Sequence, residues 1–161
     1  MIKAFELAGA FAAHAIGSIA EGDALIPMLA YTNEDDERQM ERLVFEGSGA
    51  AVEYGQQRLS SNAMDANDAA LLYDGQIVDD GKKTDALIIE LRTYFSPRSV
   101  ATIAIPYTPK GDGPFQIHKP CVMVWEHCED FDLDHAFGWF FDGVESHEEG
   151  SKVWRASFDG S

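Results

Sequence analysis

The sequence predicts a single α+β domain built on a mostly antiparallel sheet. Three observations carry this prediction. Apolar residues alternate with a period of two through the middle of the chain. They recur at three- and four-residue spacing at its two ends. The strand-like segments follow one another through short turns instead of alternating with helices. The predicted order is α-β-β-α-β-β-β-β-α, with about six strands and the C-terminal helix packed across one sheet face. A chain of 161 residues suits one domain and buries a sizeable core without disulfides.

The first element is a helix over Ile2 to Ala20, with Phe5, Ala8, Ala12, Ile16 and Ile19 as one stripe. Its other side, Lys3, Leu7, Ala10, His14 and Gly17, is mostly small and invites close packing. The same stretch faintly resembles a secretory leader, but Glu6 and His14 interrupt its apolar run, and the helix fits better. Ala24 to Thr32 is a strand apolar on both sides, with Pro27 marking an edge or a bulge. Arg38 to Phe45 is its antiparallel partner, with a helical alternative for Asp36 to Phe45. Gly47-Ser48-Gly49 opens a helix over Ala50 to Leu59, with Ser48 as its cap.

Ala69 to Val78 is the third strand, with a possible bulge at Asp74-Gly75. Asp79-Asp80-Gly81 is a hairpin turn into the central strand, Thr84 to Phe95. On that strand Asp85, Leu87, Ile89, Leu91, Thr93 and Phe95 share the side expected to face the core. Thr84, Ala86, Ile88, Glu90, Arg92 and Tyr94 share the other, whose later half is expected to face water or a partner. A turn at Ser96-Pro97-Arg98 leads to a strand over Val100 to Tyr107, and a Gly/Pro loop leads to another over Phe115 to Trp125, with Pro120 at a bulge or an edge. Leu133, Phe137, Phe140, Phe141 and Val144 form the stripe of a C-terminal helix, capped by Asp130, Asp132 or Asp134. Lys152 to Phe158 is a final turn or short helix.

Composition narrows the function classes. The formal net charge is −16, a field that repels nucleic-acid phosphates and anionic lipid. Neither nucleic acid nor membrane is an expected partner. The acid concentrates between Lys119 and Lys152, which favours a basic protein partner. Two cysteines, Cys121 and Cys128, do not make a disulfide framework, so a reducing, cytoplasmic setting is expected.

Motifs for chemistry are few. His118, Cys121, His127, Cys128 and Glu129 are zinc-ligand types, but on one strand Cys121 and His127 would stand about 20 Å apart at ~3.3 Å per residue. A Cys128–histidine nucleophile is disfavoured by the surrounding carboxylates, which raise a thiol pKa. The Gly47 segment lacks the third glycine of a dinucleotide site and the lysine of a phosphate loop. Asp65, Asn67 and Asp68 lack the glycine and distal glutamate of a calcium loop. No metal and no cofactor is expected.

Two groups remain as candidates. Glu90, Arg92 and Tyr94 project from one strand face and could hold a small polar ligand, joined by His118, Gln116 or Thr102 if register allows. Trp139, beside His135 and Asp142 on the outer side of the C-terminal helix, suggests an interface. The sequence thus favours a non-enzymatic, protein-binding domain that self-associates. The alternative is a small-molecule-binding or hydrolytic domain using the polar face of the central strand.

Overall fold

The computed structural model describes residues 2–95, 98–111, 113–128 and 132–159, without the side chain of Asp79. The elements run α1 (Ile2–Ala20), β1 (Met28–Thr32), β2 (Arg38–Arg42), α2 (Ser48–Ser61), β3 (Asp68–Asp79), β4 (Lys82–Thr93), β5 (Ser99–Thr108), β6 (Gln116–Ile117), β7 (Cys121–Glu126), α3 (Leu133–Ser146) and α4 (Glu148–Ser157). All strands pair antiparallel in a seven-stranded sheet ordered β2-β1-β3-β4-β5-β6, with β7 also on β5. The α+β architecture and its order follow the sequence prediction. No helix among the described residues is long and apolar enough to cross a membrane.

The central strand has the predicted two-sided character. Leu87, Ile89 and Leu91 are fully buried beneath α1, in one core with Phe5, Ile16, Ile103 and Phe140. The α3 and α4 helices complete that layer by packing on α1. Phe140 is fully buried and Phe137 and Phe141 half-buried around it. Burying the Phe140 ring stabilises by about 2–3 kcal/mol.

The α1–α3 contact is backbone on backbone. A Cβ on Gly9 would lie 1.8 Å from the carbonyl oxygen of Phe140, and one on Gly143 would lie 2.0 Å from that of Glu6. Close packing on α1 therefore occurs, at Glu6, Gly9, Ala10 and Ala13.

Several local expectations are corrected. Phe115 to Trp125 is two strands, because Pro120 cannot extend the ladder and residues 118–120 break it. The β3–β4 register runs unbroken through Asp74↔Leu87 and Gly75↔Ala86, so no bulge lies there. The irregularity sits in the β5–β7 ladder, where Thr102 and Ile103 pair with Val124 and Val122 and leave Met123 of β7 as the extra residue. β1 is an interior strand that starts just after Pro27, and β2 is the edge. Gly47, at φ 102°, takes the α2 N-cap in place of Ser48, and no side chain caps that end. The helical alternative for Asp36 to Phe45 is not adopted.

Other local readings hold. Asp80 and Gly81 make the hairpin turn at φ 50° and 77°, the pair of positive angles a two-residue turn requires. Asp132 caps α3, accepting from the backbone N–H groups of Asp134 and His135. Asp130, the Ser96-Pro97 turn and Glu129 lie outside the described residues.

Candidate functional site

The predicted polar face of β4 is not open. α2 lies over it, burying Ala51, Gly55 and Leu59 against Leu43, Ala69 and Leu71. Glu90 is 9% exposed. Its Oε2 accepts from Gln56 Nε2 and from the Tyr73 hydroxyl, each at 2.8 Å, and Arg92 stands 3.5 Å from its other oxygen. Burial raises the Tyr73 pKa, and the bond to Glu90 adds to the rise. Tyr94 donates to the Leu59 carbonyl at 2.7 Å, and burial pushes its phenol up to about 12. Glu90 and Tyr94 thus fasten α2, and Arg92 stands beside Glu90 on the same strand.

His118 stands apart from them. It bonds Thr108 at 2.8 Å and Asp159 at 3.0 Å, tying β6 to the strand-like bridge between Ile117 and Phe158. On α3, His135 and Asp142 are exposed, while Trp139 is half-buried and packs against the main core. Cys128 is buried, with its thiol 3.2 Å from the Glu126 carbonyl oxygen, and Cys121 is half-buried on β7. Among the described residues no three His, Cys, Asp or Glu side chains converge as a metal site.

A different corner gathers chemistry. α1, β2 and the α3–α4 junction enclose a cleft of about 310 Å³. Ala10, Phe11 and Met40 supply apolar walls, and Arg38, Arg42, His14 and His147 supply the polar groups. Both the volume and this mixture suit a small-ligand site. A second cleft of about 210 Å³ adjoins it, sharing His14 and Arg42.

The local sequence explains the convergence. Arg38, Met40 and Arg42 alternate along β2 and so share a face, while Glu41 turns the other way to pair with Arg58 of α2. His14 sits one helical turn beyond Ala10 and Phe11. His147 ends α3 and begins α4 at once, its Nδ1 accepting from the Gly150 N–H at 2.8 Å. That bond fixes the tautomer: a neutral His147 carries its proton on Nε2.

The cleft carries two arginines and no carboxylate in its lining although the chain is acidic. Among the described residues no carboxylate lies within 4.0 Å of the guanidinium of Arg38 or Arg42. Asp36, which shares a neighbouring groove with Arg38, is engaged by Lys3 at 2.8 Å. Arg42 approaches Nε2 of His14 at 3.5 Å, an arrangement that a neutral imidazole accepts. The His14 and His147 rings lie 5.5 Å apart. Burial lowers the His14 pKa, and His147 and Arg42 lower it further. An anion entering this corner would meet two guanidinium groups without carboxylate partners and an imidazole able to take up a proton.

Sequence reasoning missed this corner. The signal was present in one histidine within an apolar helix and an Arg-x-Met-x-Arg alternation. What joined them was the placement of α1 over the β2 edge, which periodicity does not fix. A larger apolar cleft, about 410 Å³, lies between Phe137, Phe141, Phe158 and Pro120, with Lys119 and Asp134 as its charged groups.

Comparison with known proteins gives no match, whether with family models, curated proteins or solved structures.

Proposed function

We propose that this is a non-enzymatic binding domain that recognises an anionic, partly apolar ligand in the cleft between α1 and β2. The observation that carries this reading is the pair Arg38 and Arg42, held without carboxylate partners on an apolar-walled cleft in a chain of net charge −16. In so acidic a protein, two guanidinium groups free of carboxylates favour a carboxylate or phosphate brought from outside, and Arg binds both through two parallel hydrogen bonds. The neutral His14 adds a donor once an anion draws a proton to it.

Thermal unfolding in sodium hexanoate, sodium benzoate or sodium phosphate, against sodium chloride at equal ionic strength, tests this. At least one of these anions is expected to raise Tm above the chloride control, and Arg42→Ala should abolish the rise. Equal Tm in all the salts, or an unchanged rise in Arg42→Ala, sinks the proposal.

A second reading keeps the expected self-association. It rests on an exposed apolar group beside β2, in which Val44 is 75% exposed and the Phe45 and Tyr54 rings meet at 5.1 Å. Light scattering after gel filtration should show a mass above the monomer that falls in Val44→Ser/Phe45→Ser. A monomer at every concentration removes this reading. Trp139, with His135 and Asp142, is the other proposed anchor, and an unchanged mass in Trp139→Ala would strike it out.

A further inference from the structure

The backbone of β2 defines what kind of ligand the cleft accommodates. The Leu43 N–H donates to the Pro27 carbonyl at 2.8 Å, and the Asn33 N–H donates to the Glu37 carbonyl at 3.1 Å. Bonded positions in an antiparallel ladder recur at every second residue. Glu37, Gln39, Glu41 and Leu43 therefore turn their backbone groups inward to β1. Arg38, Met40 and Arg42 turn theirs outward, and no strand of the described residues lies beyond them. The side chains of these same three residues line the cleft. An open strand edge and an arginine-lined cleft thus coincide on one five-residue strand.

We propose that an extended acidic segment of a partner protein adds to the outer edge of β2 as a further antiparallel strand. This rests on the anion-binding reading above and names the molecule that carries the anions. The segment places acidic side chains opposite Arg38 and Arg42 and an apolar one opposite Met40, a pattern of acid-x-apolar-x-acid. Backbone bonds to the edge supply affinity, and the alternate side chains supply selectivity.

Charge argues against a second copy of this chain as the occupant. Opposed residues in such a ladder must both face outward or both face inward. Self-pairing centred on Met40 opposes Arg38 to Arg42 of the other copy. Sliding by two residues opposes Glu37 to Glu41, or Glu41 to itself. Like charges directly opposite are destabilising, a common guard on edge strands.

The test uses the full chain and an acetylated, amidated nonapeptide, Ser-Thr-Asp-Thr-Val-Thr-Asp-Thr-Ser, titrated by calorimetry. Three further peptides accompany it: one with lysine for both aspartates, one N-methylated at the central valine, and one N-methylated at the threonine after it. The valine amide faces β2 and the threonine amide faces away. Binding of the parent peptide is expected, with no binding of the lysine peptide. N-methylation of valine should weaken binding at least tenfold, and N-methylation of threonine should leave it within twofold. The double variant Arg38→Glu/Arg42→Glu, checked for an unchanged circular dichroism spectrum, should not bind the parent.

Equal affinity for the two methylated peptides overturns strand addition. So does a wild-type dimer dispersed by Met40→Pro, which removes an outward N–H of β2 and would make a second copy the occupant. If small carboxylates raise Tm through Arg42 but the parent peptide does not bind, strand addition fails while the anion site stands. If neither binds, both fail.

Discussion

The two faces of the sheet are closed in opposite ways. On one face α1, α3 and α4 meet through glycine and alanine, so close that a Cβ on Gly9, Gly143 or Gly150 would lie 1.8–2.3 Å from a carbonyl oxygen of the facing helix. On the other, α2 buries three residues and is fastened by polar groups: Gln56 on Glu90, Tyr94 on Leu59, and Arg58 on Glu41. The first closure depends on shape and tolerates no added atom. The second depends on a few hydrogen bonds, each worth about 1–3 kcal/mol where a charge is involved. The difference teaches where the molecule is stiff. The cleft is walled by the stiff side, at α1 and the α3–α4 junction, which suits a preformed site.

The sharpest way to break this contrast is a single methyl-sized step on α3. Gly143→Ala should destabilise by about 2–4 kcal/mol in urea unfolding, because the facing backbone cannot yield. Gly138→Ala on the same helix, where nothing lies within 4 Å, should stabilise by about 0.5–1 kcal/mol through the helix propensity of alanine. Similar effects at the two glycines would refute backbone-on-backbone closure.

On the opposite face, Glu90→Ala should cost about 2–3 kcal/mol by stranding Tyr73, Gln56 and Arg92, while Glu90→Gln should cost less. Native-state hydrogen exchange should show α2 amides opening well before those of α1, and the gap should widen in Glu90→Ala. Uniform protection of both helices would show that the polar fastening is as firm as the glycine seam.

Tyr94→Phe removes one bond to Leu59 and should cost about 1 kcal/mol. It also carries a pH signature. The folded phenol has its pKa raised from 10.0 to about 12, so the unfolded state holds fewer protons between those values and stability falls as pH rises through them. The wild-type loss across that window should be shallower in Tyr94→Phe, and identical profiles would place Tyr94 in water.

The smallest effect expected is at His14. Its pKa is lowered in the fold, so below its ordinary value of 6.5 the unfolded state binds more protons, and stability falls as pH is lowered until the folded imidazole also titrates. The groups facing it are His147 and Arg42, with Asp23 on the adjoining cleft. His14→Gln should flatten the stability profile below pH 6.5. A bound anion should reverse the wild-type slope, because it favours the charged imidazole. An unchanged slope in His14→Gln would assign the acid loss to carboxylates instead.

What was legible in the sequence followed periodicity. The alternation in β4 named Leu87, Ile89 and Leu91 as core, and the helical spacing bounded α1 at Ile2 and Ala20. The positions that failed were those decided by tertiary partners. Glu90, Arg92 and Tyr94 look like a solvated triad along one strand, and only the docking of α2 turns Glu90 and Tyr94 into a fastening. His14 looks like a flaw in an apolar helix until β2 places Arg42 against it. No local pattern records which strand becomes the edge, and here the edge decides the site.

The glycine seam also bears on how the chain comes to be folded. Gly9 and Phe140 meet although they stand roughly 130 positions apart, a long loop to close before the contact returns any energy. The hairpin and meander of β3, β4 and β5 need no such closure and are available early. During synthesis α1 emerges ahead of every element that covers it, while α3 and α4 come last. The most apolar helix of the molecule therefore waits longest for its partners. For that interval the nascent chain presents an alanine-rich, aggregation-prone surface, one that the finished protein keeps almost wholly out of sight.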